Sequence, residues 1–388
     1  MDALRGKAFH FIDSKREEML ALWEKLVNME SGVQFSEDVD RVAAFLKEKA
    51  ESLGAEARIL EFPEAGNGLV ASFGKKTAKP HLCFMGHFDT VFPRGTVLQR
   101  PFKIEDGRAF GPGALDMKGG VVIQLYAAKA LMEAGYSDRQ IRLVLAGDEE
   151  MGHPKSDMAR VFREECAGAA AAFNFETGDV RNALVVGRKG TASWDISVEG
   201  VAVHAGREPE KGRSAILEIA HKIIEIQALT DYSRGLTFNV GVVKGGVVRN
   251  AVPDHAEIQV DVRVMEPDQF DEVEQKMAQI VGRTHVEGTK TTFSRRIGID
   301  PMPRTPGNDR LFALVARVSK ELGFDEPSAV ISGGGSDSAY SVAAGVPTID
   351  QMGVKGEWNH SDREYALADS LFERAKLAIA CVLEIDTL

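Results

Sequence analysis

The feature that most confines the fold of this chain is a change of rhythm near Arg188. From Thr191 the apolar periodicities read strand (Thr191 to Val198), helix (Ser214 to Ala228), strand (Leu236 to Val243), strand (Ala256 to Val264), helix (Gln269 to Val281) and strand (Lys290 to Arg295). That βαββαβ order is a complete ferredoxin-like unit, which can bury a core of its own. Before it, two helices between Lys7 and Leu53, joined by a polar loop near Ser31 to Glu37, lead into strands at Glu56 to Glu61, Gly68 to Phe73 and His81 to Gly86. A helix from Lys118 to Glu133 and a buried strand from Ile141 to Ala146 follow, and after Pro301 the alternation resumes with helices at Asn308 to Leu322 and Ser370 to Leu383. The expected architecture is an α/β layer with a largely parallel sheet, built discontinuously from 1–188 and 299–388, with 189–298 inserted as a second domain. A length of 388 residues suits two cores better than one.

Charge and cysteine content narrow the function. The net charge of -11 would repel nucleic acid and anionic membranes, so neither is expected as a partner. No apolar run approaches the roughly 18 residues of a membrane helix, and the first residues carry no apolar leader, which together predict a cytoplasmic protein. Cys83, Cys166 and Cys381 are odd in number and far apart, so a disulfide framework and a Cys-x-x-Cys zinc site are both disfavoured. Each is expected to be a small core residue.

Chemistry-bearing residues recur where strands should end. His87 and Asp89 leave the apolar run His81 to Met85; Asp116 sits in the glycine-dense Gly111-Pro-Gly-Ala-Leu-Asp-Met-Lys-Gly-Gly120, which opens onto a helix. Asp148-Glu-Glu-Met-Gly152 follows the buried strand, Glu176 follows an Ala-rich apolar run, and His360 lies in the polar Trp358-Asn-His-Ser-Asp362. Adjacent carboxylates at one strand end repel one another unless cations neutralise them. Each acid alone could be an ordinary loop residue favoured at a helix N-terminus. Gathered at one sheet edge, two histidines and three carboxylates would instead suit a pair of divalent metals about 3.5–4 Å apart, with one further carboxylate left as a base. Which of Glu149 and Glu150 is base and which is ligand stays open at this point.

The patterns Gly86-His-Phe-Asp-Thr-Val91, Gly113-Ala-Leu-Asp-Met-Lys-Gly-Gly120, Asp148-Glu-Glu-Met-Gly152, Phe175-Glu-Thr177 and His360-Ser-Asp, in this order, resemble the zinc-dependent exopeptidase and deacylase family. That family contains glutamate carboxypeptidase, succinyl-diaminopimelate desuccinylase, acetylornithine deacetylase, aminoacylase and peptidase T. The likeness is nearest to the glutamate carboxypeptidase branch, through Val203-His-Ala-Gly206 and Gly333-Gly-Gly-Ser-Asp-Ser-Ala-Tyr340. The resemblance implies a mixed-sheet catalytic domain with an inserted dimerisation or lid domain, two divalent metals (zinc first, cobalt or manganese as alternatives), and a homodimer acting on a small peptide or N-acyl amino acid. It implies His87, Asp116 and Glu176 on one metal, Asp116, Glu150 and His360 on the other, Glu149 as general base, and Asp89 orienting the ring of His87. His204 would stabilise the oxyanion, in its own subunit or its partner's. Asn250, Arg263 and the backbone N–H groups of Gly333, Gly334 and Gly335 would bind substrate. One departure is Met117, where many relatives carry a second acid; His153, His221, His255 and His285 match nothing in the family pattern and read as structural or surface residues.

Overall fold

The structure, a computed structural model, describes residues 2–388. The chain forms two compact units: one holds the chain up to Gly187 with Arg304–Ile331 and Ser336–Leu388, the other Arg188–Pro303 with Ser332–Gly335.

In the larger unit a six-stranded sheet runs in the order Glu56–Leu60, Gly68–Phe73, Ile141–Ala146, Leu82–His87, Ala171–Asn174, Thr348–Ile349. The first two pairings are antiparallel and the remaining three parallel, so the sheet is mixed. Its central strands are buried along almost their whole length, which is why they read in sequence as continuous apolar runs without alternation. The largely buried, mostly apolar helix Gly119–Ala134 packs against the helices Asp2–Ser14 and Ser370–Leu383.

Two features depart from the sequence reading. Before Leu53 there are three helices, Asp2–Ser14, Arg16–Val27 and Ser36–Ser52. The additional break is at Lys15 (φ -110°, ψ 13°), where Ser14 Oγ turns back to donate to the Phe11 carbonyl at 2.8 Å. The polar run Asp13-Ser-Lys-Arg16 holds no apolar residue that could reveal the change of direction. The second is a five-stranded sheet in the order Lys103–Glu105, Arg108–Phe110, Tyr365–Leu367, Lys355–Glu357, Gly178–Asp179. Strands of two or three residues are too short to display a period of two.

The smaller unit is a four-stranded antiparallel sheet in the order Thr237–Gly245, His255–Val264, Gly190–Glu199, Lys290–Ile297. Trp194, Ile196 and Val198 alternate inward from Gly190–Glu199 and are buried with residues of the helices Ala215–Gln227 and Gln269–Gly282. Ser214 starts the first helix by accepting the Leu217 N–H at 3.2 Å. Among the described residues no helix is long and apolar enough to cross a membrane, and all three cysteines are buried as free thiols.

A buried ion pair locks this smaller unit. Lys222 Nζ lies 2.9 Å from Glu218 with both side chains inaccessible. The ammonium also donates to the carbonyls of Ile280 (3.0 Å) and Arg283 (2.7 Å), closing the end of the second helix, while Glu218 accepts the N–H groups of His285 (2.8 Å) and Val286 (2.7 Å). Removing one partner strands the other charge in an apolar core. Lys222→Met should therefore destabilise the unit by about 3–5 kcal/mol, measured as a loss in urea unfolding free energy; a change below about 1 kcal/mol would show the pair to be replaceable.

Candidate metal centre

Three parallel strands stop at one edge of the large sheet, and each delivers an acid or a histidine there. His87 is the last residue of its strand, the Asp148–Glu150 run begins two residues after Ala146, and Glu176 follows Asn174 by two. The carboxyl ends of parallel strands are where α/β sheets present their binding loops. Asp116 arrives from the irregular turn Ala114–Lys118, which presses hard against the strands. A Cβ on Gly120 would come within 2.1 Å of the Phe175 carbonyl oxygen, so only glycine permits this approach, and one on Gly86 would displace the Met117 side chain, whose Cε would lie 2.2 Å away. Met117 is fully buried with its sulfur 3.3 Å from the His87 N–H, which is the packing role of the residue that departs from the family pattern. Trp23 Nε1 ties the same turn to the second helix by donating to the Ala114 carbonyl at 3.1 Å. His360 sits in the turn of the hairpin between Lys355–Glu357 and Tyr365–Leu367.

The side chains converge. His87 Nε2 lies 3.3 Å from Asp116 Oδ1, 3.3 Å from Glu176 Oε1 and 3.9 Å from Glu149 Oε2. His360 Nε2 lies 3.1 Å from Asp116 Oδ2 and 3.1 Å from Glu150 Oε2. The two oxygens of Asp116 thus face two different histidines, dividing the cluster into halves that share one carboxylate. His87, Asp116 and Glu150 can bring three ligand atoms within 4.8 Å of one another, as can His87, Glu149 and Glu176. Every donor is nitrogen or oxygen, with no thiolate, a set that fits catalytic divalent metals.

The electrostatics show what so many acids cost one another. Burial pushes Glu149 well above the usual carboxylate range, with Glu176, Asp337 and Glu150 adding to the effect. Burial and the charge of Asp116 raise Glu150 to about 7. Asp116 resists its burial and stays well below the normal range because His360 and His87 both bond to it. The imidazoles respond in the opposite sense. Against its burial, His87 is raised well above its ordinary value by Glu176, Asp116 and Asp89, and His360 is pushed up to about 11 by its bonds to Asp116 and Glu150. In this protonated arrangement the imidazolium charges balance the acids, a task that bound cations would take over.

Backbone amides hold the acids in place. Asp89 accepts the Glu149 N–H (3.2 Å) through Oδ1 and the Glu150 N–H (3.1 Å) through Oδ2, and its Oδ1 is also 3.3 Å from His87 Nδ1. One carboxylate therefore orients the His87 ring and the glutamate turn together. Glu364, absent from the sequence reading, plays the matching part for the Asp116 turn: its Oε1 accepts the N–H groups of Leu115 (2.9 Å) and Asp116 (3.3 Å). Asn359 is likewise new, donating to Asp116 Oδ2 at 3.0 Å. Their only sequence signal is their proximity to His360.

The remaining candidates belong to the smaller unit. His204 is exposed and accepts the Gly206 N–H at Nδ1 (3.1 Å); the Asn250 carbonyl accepts the neighbouring Ala205 N–H (3.0 Å). Arg263 pairs with Asp261 (2.9 Å) and reaches the Gly333 carbonyl at 3.4 Å. The carbonyls of Gly334 and Gly335 accept from Arg188, at 3.2 and 3.3 Å, and the Gly334 N–H is taken by Ser332 Oγ at 3.2 Å. The glycine run is thus anchored through its carbonyls by two arginines, of which sequence reading singled out only Arg263 as a functional candidate.

A family model described as peptidase family M20/M25/M40 matches residues 83–384. Carboxypeptidase G2 of Pseudomonas sp. (strain RS-16) is 28% identical over 384 residues, covering 97% of this chain and 91% of that protein. Among solved structures, aminopeptidase PepT from Bacillus cereus matches with a TM-score of 0.81 at 23% identity, over 96% of this chain and 99% of that one. The YxeP protein of Bacillus subtilis, described as a dinuclear metal binding peptidase, matches with a TM-score of 0.69 at 16% identity, over 97% and 100%. At these identities the structural likeness is one of fold.

Because His87 and His360 are both held protonated by the carboxylates around them, a cation entering the cluster must displace protons. Metal-free protein should release at least one proton per chain on zinc addition at pH 7, read by titration in buffers of different ionisation enthalpy, and its affinity should fall as pH falls. Binding with no proton release would contradict this account of the cluster.

Proposed function

The chain belongs to peptidase family M20/M25/M40 and is a hydrolase of the metallopeptidase type; from that premise we propose that it cleaves the amide bond of a small peptide or N-acyl amino acid with two bound zinc ions, in the manner of a glutamate carboxypeptidase. The observation that carries the reading is Asp116, whose two oxygens lie 3.3 and 3.1 Å from two separate histidines, each of which has a further glutamate beside it. His87, Asp116 and Glu176 would hold one ion and Asp116, Glu150 and His360 the other. The likeness to carboxypeptidase G2 along almost the whole chain supports the choice of substrate class, and the dinuclear description of the YxeP protein supports the metal count.

When bound, the ions would polarise the scissile carbonyl and make an attacking water more acidic. Glu149, buried and 3.9 Å from His87 Nε2, takes the proton from that water and returns it to the departing nitrogen. A glutamate whose proton affinity is already raised by burial suits both halves of that transfer. Asp89 keeps Glu149 and Glu150 from exchanging places by holding both of their N–H groups. His204 donates to the oxyanion, and Asn250, Arg263 and the N–H groups of Gly333 and Gly335 receive the carbonyl and the free carboxylate of the substrate, the Gly334 N–H being already engaged by Ser332 Oγ.

Homodimerisation through the smaller unit is part of the same proposal, as is cytoplasmic residence. Supporting it is an apolar surface in which Ile216, Leu217 and Ile224 project from one helix while Val242 and Val243 lie exposed on the edge strand Thr237–Gly245.

Hydrolysis of N-acyl-glutamates, other N-acyl amino acids and dipeptides by zinc-loaded protein, with and without chelator, tests the reading; N-acyl-glutamates should be cleaved fastest and chelator should abolish turnover. Glu149→Ala should keep its metal yet lose between about 10² and 10⁴-fold in kcat, and undiminished turnover would remove Glu149 from its role. Ile224→Lys with Val243→Glu should convert a dimer to a monomer in light scattering; a wild-type monomer would refute the dimer.

A further inference from the structure

Two buried carboxylates stand beside the candidate centre without belonging to it. Asp148 precedes Glu149, and Asp337 opens the short helix Ser338–Ala343. One histidine lies between them: His153 Nδ1 is 2.7 Å from Asp148 Oδ1, and His153 Nε2 is 2.6 Å from Asp337 Oδ1. The other oxygen of each aspartate, Oδ2, is buried with no hydrogen-bond partner, so the imidazole supplies the side-chain bond that each carboxylate makes. His153 adopts a left-handed backbone (φ 60°), which turns it back over the loop that began at Asp148.

The bridge continues on its far side. Ser336 Oγ and Ser338 Oγ, which flank Asp337, donate to Asp350 Oδ2 at 2.6 and 2.8 Å, and Asn174 Nδ2 donates to Ser338 Oγ at 2.9 Å. Asn174 ends the strand that carries Glu176 two residues later. Buried hydrogen bonds, joined through the short backbone 336–338, therefore link the turn holding Glu149 and Glu150 to Asn174, two residues before Glu176, and His153 joins the turn to that backbone.

We propose that His153 is a positioning residue for hydrolysis: by donating from both ring nitrogens to Asp148 and Asp337 it fixes the Glu149–Glu150 turn against the 336–338 loop, and so sets the aim of the general base. This rests on the functional reading above and adds to it a residue that touches neither substrate nor metal. Against its burial, the two aspartates hold the imidazole well above its ordinary proton affinity, as a double donor requires. Without the ring, two buried carboxylates would face each other with nothing between them, and the turn would have to retreat. A displacement of the order of 1 Å in a reacting group costs about 10²-fold in rate.

The discriminating comparison is between His153→Gln, which retains one polar donor, and His153→Phe, which keeps the packing of the ring against Phe162 and Tyr340 but bonds to neither aspartate. In the zinc-loaded enzyme His153→Gln should lose roughly 10-fold in kcat and His153→Phe roughly 100-fold, with KM and zinc per chain within about threefold of wild type. Equal activity of the two variants would overturn the proposal in favour of packing alone, and zinc lost in step with kcat would overturn it in favour of metal retention. If His153→Phe does not fold, nitrogen-15 spectra of the wild-type holoenzyme at pH 7.5 decide: both ring nitrogens of His153 should carry protons, with the resonance identified by its loss in His153→Gln, and a neutral single tautomer would overturn the bridge. An enzyme that cleaves nothing in the substrate panel yet shows the doubly protonated ring refutes the functional reading and leaves the bridge standing, so the two failures are distinguishable.

Discussion

Four carboxylates drawn around two imidazoles, with most of them out of water, form the interaction on which the larger unit depends. Asp116, Glu149, Glu150 and Glu176 would not share so small a volume unless positive charge were placed among them. His87 and His360 provide it on the two sides of Asp116, at 3.3 and 3.1 Å. Neither histidine is adjacent in sequence to the acids it serves. Its position is a product of topology: parallel strands that end together bring residues 87, 149, 150 and 176 to one edge, and the hairpin around residue 360 closes the set.

The acids are held less by their own side-chain contacts than by other acids bonded to their backbone. Asp89 accepts the N–H groups of residues 149 and 150, and Glu364 those of residues 115 and 116. A carboxylate bonded to two consecutive N–H groups fixes the peptide planes and therefore the direction in which the side chain leaves. The backbone anchors thus fix the turns without occupying the carboxylate oxygens of Glu149, Glu150 and Asp116, which face the two histidines instead. Glu364 accepts two such bonds, yet burial and the nearby Asp116 push it up to about 8, so the anchoring acids carry part of the electrostatic load of the cluster.

How much of this could be read from the residues follows from where each signal lies. The ferredoxin-like unit was legible because its strands and helices are long enough for periodicity, with Trp194, Ile196 and Val198 alternating cleanly against polar neighbours. The residues of the cluster were legible because apolar runs stop at His87, Asp148 and Glu176 and glycines surround Asp116, although roles for individual residues came from resemblance. Three things were hidden. The break at Lys15 leaves no apolar mark; the two- and three-residue strands that frame His360 are below the length at which alternation exists; and Asn359, Glu364 and His153 each bond to a partner more than 180 residues away in sequence. Contacts of that range are properties of the fold, and no local pattern encodes them.

The two histidines given roles by resemblance, His87 as a metal ligand and His204 as an oxyanion donor, illustrate how differently a fold treats groups proposed for different duties. His87 is fully enclosed, with both ring nitrogens near carboxylates and its N–H on a methionine sulfur. A ligand must be in place before the metal arrives, so its orientation has to be settled by folding. His204 stands exposed in its own unit, and its ring is met by one backbone N–H at 3.1 Å. On the proposed reading His204 donates to charge that exists only in the transition state, so its orientation need not be settled by folding. Enclosure is thus concentrated where the acids are held against their mutual repulsion, at the ends of the parallel strands, while His204 is left exposed.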